Sequence, residues 1–372
     1  MLSFFAFLFL IFLLLIYSSK ILSCYWGLSQ LASRRNPKRY SVSIIIPARN
    51  EERTIGVCLA SLLAQDYPQD LIEIIVIDDD SSDRTDQVVE SFSNLYPSIR
   101  MIKMGPSPVG ISPKKRALQV GIEASTGELI LTTDADCWAE PQWVSQMISH
   151  FNEDVGMVIG YVGIAKRSEQ NLFHKLQSLE LVGLTMAGLG SLGAGDPIIA
   201  NGASLAMRRV TFEQVGGYDG QIHILSGDDD LLLQKIDRMT HWTIRACLSY
   251  GSFVFTWPIN SLSEFIQQRT RWASKSLVYQ KPSLILFLIA TYLLYLWLFI
   301  SIPVAFAISS FFPIVPLIVK LGVDLILIMK STEFVGRKDL RKYFLLAEVA
   351  QIPYILYVGV AGLFNKFEWK GR

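Results

Sequence analysis

The sequence predicts an α/β domain with a doubly wound mixed sheet, flanked by N- and C-terminal transmembrane helices. Of the 372 residues, 51% are hydrophobic and 18% are charged, and the mean hydropathy is +0.35. This composition is too apolar for an ordinary soluble protein. Long apolar runs lie near both ends of the chain, and between them short β-branched runs alternate with segments of helical periodicity. Such alternation is typical of doubly wound sheets.

The N-terminal run from Met1 to Ser19 contains no charged residue and is rich in Leu, Ile and Phe. At about 1.5 Å per residue it nearly crosses a hydrocarbon layer of about 30 Å. A cleaved signal peptide is the alternative, but no basic segment precedes the run and no A-x-A site follows it. The cations that come next are Lys20, Arg34, Arg35, Lys38 and Arg39. We therefore predict an uncleaved anchor over residues 1–31, with the following domain in the cytoplasm.

A second apolar run, Ser283–Val319, carries no charge and is too long for one span. It has a natural break between Ser309 and Pro313, so we predict a helical hairpin whose return helix carries Lys320 and Asp324. These two side chains are spaced i and i+4 on one helix face. Charges within a membrane suggest a functional role, but we favour a pair that neutralises itself near the cytoplasmic interface.

The last apolar stretch, Tyr343–Phe364, follows a basic loop over Lys330–Lys342 that we expect in the cytoplasm. It contains Glu348, Gln351 and Pro353. A third span and an interfacial segment therefore both remain open for it. We predict a C-terminal membrane region over residues 283–365 with two to three helices.

The middle of the chain, residues 40–260, has the composition of a globular domain. Val42–Ile46 and Ile72–Ile77 are β-branched runs that read as buried strands, and Glu51–Ala64 between them has helical spacing. Further predicted elements are helices over Asp83–Phe92 and Lys114–Ala124 and a strand over Glu128–Thr132. Ligands of such sheets bind at the carboxyl ends of the strands.

Three clusters of aspartates occur in this domain, at residues 78–80, 134–136 and 228–230. A single cluster could be a turn or a helix cap, but three indicate a site. Asp134 and Asp136 are two residues apart, which places both on one side of an extended segment. Neighbouring carboxylates repel unless a cation joins them, and Mg²⁺ or Mn²⁺ binds carboxylates together with phosphate oxygens. The spacing therefore predicts a metal-bound diphosphate.

Other functional classes receive little support. The net charge of +1 provides no broad basic surface, so nucleic acid is not an expected partner. The four histidines are scattered and no H-E-x-x-H motif occurs, which does not favour a zinc hydrolase. The four cysteines form no C-x-x-C pair, which suits a reducing compartment.

Five motifs, in this order, resemble those of family 2 glycosyltransferases, and they cover about residues 42 to 275. They are Val42–Glu52, Ile75–Thr85, Thr133–Asp136, Gly227–Leu231 and Gln268–Trp272. The family has the Rossmann-like GT-A fold. With its membrane helices the chain looks like the branch that contains cellulose, chitin and hyaluronan synthases and ceramide glucosyltransferase.

The resemblance also implies roles for individual residues. Those assigned to the nucleotide-sugar donor are Pro47, Arg49, Glu51, Asp78, Asp79, Lys114 and Asp134. Asp136, together with Asp134, would hold Mg²⁺ or Mn²⁺. Two positions depart from the family pattern: Asp80 stands where glycine is common, and Asp228 replaces a glutamate.

The general base is predicted within the cluster that contains Asp228. Asp229 aligns with the second acidic residue of the family pair and is our choice, with Asp228 as the other catalytic candidate. Asp230 is expected to open a helix, where an acidic side chain also favours the dipole. A base facing the bound sugar would act in a single in-line displacement that inverts the anomeric centre.

Residues 261–280 form an amphipathic segment just before the apolar hairpin, and we predict an interface helix. An interfacial Trp and Arg could serve only as anchors. The match to the family motif favours a role for Gln268, Arg271 and Trp272 at the acceptor and the diphosphate.

The glycine-rich segment Gly188–Gly202 is no phosphate loop, because it lacks a G-K-[ST] ending. A mobile loop on the acceptor side, with Asn201 and Gly202 near the sugar, and simple backbone packing are equally compatible with it.

The sequence thus predicts an integral membrane inverting glycosyltransferase of the bacterial inner membrane with a cytoplasmic catalytic domain. It would move a sugar from a nucleotide-diphosphate-sugar donor to a lipid-linked or glycan acceptor, in contact with membrane lipid. The alternative is a membrane transport or scaffold protein with a degenerate nucleotide-binding domain. Mn²⁺-dependent binding of a nucleoside diphosphate distinguishes the two.

Overall fold

The computed structural model describes residues 2–31 and 35–364. Met1, Arg34 and residue 365, which belong to the predicted membrane regions and their flanks, lie outside the described residues. The chain divides into two compact units. The sheet unit comprises Leu31–Ser168 and Asp196–Trp257, and the helical unit comprises the segment up to Gln30, Glu169–Gly195 and the segment from Pro258 onward.

The sheet unit contains a mixed sheet. The strands in chain order are β1 (Val42–Ala48), β2 (Ile72–Asp79), β3 (Ile99–Met104), β4 (Leu129–Thr132), β5 (Cys137–Ala139), β6 (Val155–Gly160), β7 (Val162–Ile164), β8 (Leu205–Arg208), β9 (Thr243–Cys247) and β10 (Val254–Thr256). The larger sheet has the order β3-β2-β1-β4-β8-β6-β9, and β5, β10 and β7 form a small sheet. β1 is parallel to β2 and β4, whereas β8 is antiparallel to β4 and β6. The predicted α/β class with a mixed sheet is confirmed.

Helices occur in both units of the described chain. They are α1 (Leu2–Gly27), α2 (Ile55–Leu63), α3 (Thr85–Ser93), α4 (Pro113–Ala124), α5 (Trp143–Ser149), α6 (Leu172–Gly193), α7 (Arg209–Gln214), α8 (Asp230–Met239), α9 (Leu262–Ala273), α10 (Pro282–Ala307), α11 (Val315–Phe334) and α12 (Phe344–Leu363). The helical unit contains α1, α6 and α9 to α12.

The core of the sheet unit is built on its parallel strands. Ile44, Ile45 and Ile46 are fully buried although they are consecutive. Successive strand residues point to opposite faces, so both faces of β1 are covered, as the run of apolar residues predicts.

Helix α2 begins at Ile55, four residues later than predicted. The residues before it form a hydrogen-bonded turn, in which the Glu51 carbonyl accepts from the Thr54 and Ile55 amides, each at 3.0 Å. The Glu51 amide donates to Thr85 Oγ1 at 2.7 Å, and the Glu51 carboxylate accepts from Thr54 Oγ1 at 2.6 Å. The first bond ties the loop after β1 to the start of α3, and the second lies within the turn that precedes α2.

Within residues 2–31 and 35–364, three helical segments are long and apolar enough to cross a membrane. They are Leu8–Gly27, Pro282–Ala307 and Lys338–Leu363. The third contains the stretch that the sequence left open between a span and an interfacial segment. α10 and α11 follow one another through a short turn that includes Phe312–Ile314.

The prediction of a self-contained Lys320 and Asp324 pair is incomplete. Lys320 Nζ lies 2.7 Å from Asp324 Oδ2, but it also contacts the carboxylate of Glu348 on α12. The Tyr17 hydroxyl of α1 donates to both Asp324 oxygens, at 2.8 and 2.9 Å. The three charged side chains are buried, so the group connects α1, α11 and α12 inside the helical unit.

The predicted loop over the glycine-rich segment is wrong for its first part, because α6 continues to Gly193. A Cβ atom on Gly190 would overlap the Cys24 carbonyl of α1, and one on Gly27 would overlap the Gly190 carbonyl. These glycines let the backbones of α1 and α6 touch, as small residues do between membrane helices. Backbone packing, the other interpretation of the segment, describes this part.

Candidate active site

Polar side chains of the sheet unit lie at the carboxyl ends of three neighbouring strands. β1, β2 and β4 are adjacent and parallel, so the residues that follow them meet at one edge. Pro47 and Arg49 lie at the end of β1, Asp78 and Asp79 at the end of β2, and Asp134 follows β4. The edge therefore holds predicted donor residues from three separate segments.

Arg49 connects the loops after β1 and β2. Its guanidinium donates to the carbonyls of Asp79, at 2.6 Å, and Asp80, at 2.8 Å. Asp78 Oδ1 accepts from the Ser81 amide at 3.2 Å and supports the same loop. Arg49 Nε is buried and has no hydrogen-bond partner among the described residues. A buried donor without a partner is costly, so this atom fits a polar group of a ligand.

The backbone conformation at Asp80 explains why glycine is common at this position in the family. Its φ angle is +59°, in the left-handed region that side chains rarely adopt. Aspartate is one of the few residues that tolerate this conformation. The departure from the family pattern therefore preserves the turn.

Two other predicted donor residues are buried. Glu51 is 9% exposed, and the hydrogen bond from Thr54 places its carboxylate at the start of α2. Asp79 is 3% exposed, and its Oδ1 lies 3.5 Å from the Ser107 hydroxyl, just after β3. Glu51 thus supports the loop, and Asp79 lies beside the segment that follows β3.

Lys114 joins two of the aspartate clusters. Its Nζ lies 2.7 Å from Asp134 Oδ1 and 3.1 Å from Asp228 Oδ2. Burial would lower the pKa of Lys114, but the carboxylates of Asp134, Asp228 and Asp229 outweigh burial and hold this pKa well above its usual value. The lysine is therefore a fixed positive charge among the carboxylates.

Asp134, Asp136 and Cys137 bring potential metal ligands within 4.8 Å of one another. The prediction that Asp134 and Asp136 lie on an extended segment is wrong. The Cys137 amide donates to the Asp134 carbonyl at 3.0 Å, and Ala135 and Asp136 form a turn. This turn brings the two carboxylates together in place of strand alternation. Burial, followed by the charges of Asp136 and Asp134, raises the pKa of the Cys137 thiol, so it stays protonated. Because Mg²⁺ and Mn²⁺ prefer oxygen ligands, the two carboxylates fit such an ion.

The aspartates at the start of α8 have different partners. Asp230 is 2% exposed, and its carboxylate accepts from the Ala200 amide at 2.8 Å. Asp229 caps α8: its Oδ1 accepts from the Asp230 amide at 2.7 Å, and its Oδ2 accepts from the Gly202 amide at 2.9 Å. Each carboxylate oxygen has a second lone pair, so these bonds leave Asp229 able to accept a proton.

Gly202 lies directly against this cluster. A Cβ atom there would be 3.0 Å from Asp228 Oδ2, 3.6 Å from Lys114 Nζ and 3.7 Å from Asp229 Oδ2. The Gly202 carbonyl accepts from the Thr132 hydroxyl at 2.6 Å, at the end of β4. A residue from the glycine-rich segment therefore meets the aspartates, and a side chain there would require the Asp228 carboxylate to shift.

The sequence model described as Glycosyl transferase family 2 matches residues 43–214. This range contains the carboxyl edge of the sheet, Lys114 and the metal-ligand candidates. The chain contains a family 2 glycosyltransferase domain. The resemblance to family 2 glycosyltransferases that the motifs indicated is confirmed.

Relatives of the glycosyltransferase domain are found in bacteria and archaea. The chain is 31% identical over 247 residues to the probable glycosyltransferase YdaM of Bacillus subtilis, covering 64% of this chain and 56% of that protein. It is 27% identical to the glycosyltransferase AglE of Haloferax volcanii (58% and 64%) and to a beta-monoglucosyldiacylglycerol synthase of Trichormus variabilis (62% and 48%). The chain thus matches about half to two thirds of the length of these relatives.

A solved structure shows the same fold. The mannosyltransferase PcManGT from Pyrobaculum calidifontis, in complex with GDP-Man and Mn²⁺, is 19% identical in sequence. The similarity covers 96% of this chain and 99% of that one, with a TM-score of 0.59. The GT-A fold expected for the glycosyltransferase domain is confirmed.

The remaining predicted residues, Gln268, Arg271 and Trp272, lie on α9 in the helical unit and are partly exposed. The sequence analysis missed a fourth residue of the same motif. Arg269 is 7% exposed and pairs with Glu180 of α6. The signal was present in the helix pattern, because an arginine in the middle of an apolar helix face must have a partner.

Proposed function

We propose that the protein is an inverting glycosyltransferase that uses a nucleotide-diphosphate-sugar donor and a lipid-linked or glycan acceptor. The observation that carries the proposal is the meeting of Asp134, Asp136, Lys114 and the Asp228–Asp230 cluster in the sheet unit. It supplies carboxylates for a metal, a fixed cation and a candidate base within one compact unit of the chain.

The donor end of this site is built from the loops after β1 and β2. Arg49 Nε and the Asp79 carboxylate offer a buried donor and a buried acceptor for the nucleoside. Asp134 and Asp136 would hold Mg²⁺ or Mn²⁺, which neutralises charge on a diphosphate leaving group. The similar PcManGT is described with GDP-Man and Mn²⁺, which supports a divalent ion and a nucleotide sugar.

The chain's own residues would carry the proton transfer. The acceptor hydroxyl oxygen bonds to the anomeric carbon while the bond from that carbon to the diphosphate breaks. The hydroxyl proton passes to a carboxylate, and we assign this role to Asp229, which is partly exposed. Asp228 is 7% exposed and its Oδ2 lies 3.1 Å from Lys114 Nζ, so its carboxylate is less accessible to an acceptor hydroxyl. One displacement of this kind inverts the anomeric centre.

We further propose a membrane acceptor and a cytoplasmic site. Support comes from three helical segments able to span a membrane and from relatives named as beta-monoglucosyldiacylglycerol synthases. The cations after α1 favour the cytoplasmic face by the positive-inside rule. Gln268, Arg271 and Trp272 are assigned to the acceptor and the diphosphate on the strength of their motif.

The test is a screen of nucleotide sugars with the purified full chain in lipid nanodiscs, measuring release of nucleoside diphosphate and sugar transfer to lipid extracts. We expect Mn²⁺- or Mg²⁺-dependent turnover that Asp136→Asn abolishes, with an unchanged thermal transition. Asp70→Asn is the matched control, because Asp70 is exposed outside the site. Full activity of Asp136→Asn would remove the metal assignment. Absence of nucleotide binding would favour the scaffold alternative.

A further inference from the structure

The helical unit contains a buried hydrogen-bonded group that joins three helices. Arg269 of α9 donates from Nε to Glu180 of α6, at 3.0 and 3.2 Å from the two carboxylate oxygens, and from NH2 to Oε2 at 2.5 Å. The Tyr354 hydroxyl of α12 donates to Glu180 Oε1 at 2.5 Å. Both charged side chains are less than a tenth exposed.

Arg269 also organises the motif on its own helix. Its guanidinium carbon lies 4.3 Å from the ring centre of Phe265 and 4.2 Å from that of Trp272. Its NH1 contacts the side-chain oxygen of Gln268. Arg269 therefore touches two of the three motif residues that we assign to the acceptor and diphosphate, and Phe265 packs edge-on against Tyr354 at 5.5 Å.

Stability alone gives no reason for this arrangement. A buried ion pair is often no more stabilising than well-packed apolar side chains of similar volume. Its specific contribution is orientation, because the planar guanidinium fork bonds a carboxylate in a fixed geometry. With Glu180 fixed by Tyr354, the fork sets the rotation of α9 about its axis and hence the direction of Trp272.

We propose that Glu180, Arg269 and Tyr354 form a positioning clamp that orients Gln268 and Trp272 for acceptor recognition. This inference rests on the proposed function. None of the three residues needs to touch substrate: the clamp acts through α9. It also gives α12 a role in acceptor binding, because Tyr354 attaches that helix to the motif helix.

The clamp can be tested with Tyr354→Phe, which removes a single hydroxyl, and Arg269→Lys, which keeps the charge but removes the planar fork. Tyr357→Phe is the matched control, since Tyr357 lies on the same helix and is 61% exposed. The full chain in nanodiscs is assayed for acceptor KM, for nucleoside diphosphate Kd with Mn²⁺, and for amide hydrogen exchange over α9.

We expect Tyr354→Phe and Arg269→Lys to raise the acceptor KM about tenfold, the loss that one hydrogen bond to a charged group produces. The nucleotide Kd should change less than twofold, and exchange over α9 should accelerate. Tyr357→Phe should match the wild type in acceptor KM, nucleotide Kd and amide exchange. A purely structural role would instead lower the active fraction and kcat without changing the acceptor KM.

The clamp is refuted if Tyr354→Phe and Arg269→Lys leave both the acceptor KM and α9 exchange at wild-type values. It is also refuted if the nucleotide Kd weakens as much as the acceptor KM. Failure of the proposed function has a different signature: the wild-type chain neither binds nucleotide nor transfers sugar. In that case the exchange of α9 alone decides whether the three residues restrain the helix.

Discussion

Replacing Lys320 by Met isolates the energetic role of the buried charges in the helical unit. Lys320 is 1% exposed, lies 2.7 Å from Asp324 Oδ2 and contacts Glu348. Met has a similar length and no charge, so the change leaves two carboxylates in the bundle without their cation. Removing one partner from a buried pair costs about 3–5 kcal/mol. We therefore expect the free energy of unfolding to fall by about that amount.

The assay is an SDS titration of the full chain, with helix content as the signal, on a matched set of variants. Glu348→Gln keeps the Lys320 and Asp324 pair intact, so it should cost less than Lys320→Met. The triple variant with Lys320→Met, Asp324→Asn and Glu348→Gln removes every charge of the group and should recover about 2 kcal/mol or more relative to Lys320→Met. Lys338→Met breaks an exposed pair with Glu333 and should cost about 0–1 kcal/mol.

The reasoning would be refuted by simple additivity. Additivity means that Asp324→Asn and Glu348→Gln each lower the free energy of unfolding by the same amount in the Lys320→Met background as in the wild type. That result would show that Lys320→Met does not leave the two carboxylates as uncompensated charges. Equal costs for Lys320→Met and Lys338→Met would show that the charged group is solvated in the folded protein, contrary to its burial.

Three further predictions follow from single positions. Asp80→Gly should leave stability within about 0.5 kcal/mol, whereas Asp80→Val should cost about 1–3 kcal/mol in chemical unfolding, because only the β-branched residue resists a φ of +59°. Gly190→Val should separate α1 from α6 at the Cys24 carbonyl and lower the folded yield in detergent, and Gly195→Val, where a Cβ meets open space at a positive φ, should affect only its loop. Burial, followed by the charge of Arg245, lowers the pKa of His150 to about 4, below its ordinary 6.5. The unfolded state therefore binds more protons between those values, so stability should fall as pH drops from 6.5 towards 4, and His150→Phe should flatten that slope in pH-dependent melting.

The strands and the aspartate clusters could be predicted because their signals are local. The run Val42–Ile46 is apolar at every position, which only a strand covered on both faces allows. The order of strands then places residues after β1, β2 and β4 at one edge. What the sequence did not reveal is the turn at Ala135 and Asp136, because two carboxylates can be brought together by strand alternation or by a turn, and both have the same spacing.

Contacts between segments far apart in the sequence could not be predicted either. Glu180 and Arg269 are 89 residues apart, and Lys320 and Glu348 are 28 apart. No periodicity connects such positions, although each buried charge does predict that some partner exists. The sequence left the glycines of α6 open between a loop and backbone packing for a related reason. Glycine has a low helix propensity, and only the close approach of α1, which a single sequence does not show, explains its use within a helix.

The two polar groups of the helical unit explain how its helices are specified. Apolar side chains give little selectivity between helices in lipid, because the lipid tails are equally apolar. The Lys320 group joins α1, α11 and α12, and the Glu180 group joins α6, α9 and α12. α11 carries Lys320 and Asp324 and is not among the segments apolar enough to span a membrane by composition. α12 contributes to both groups, so it is the helix whose position should affect both stability and acceptor recognition.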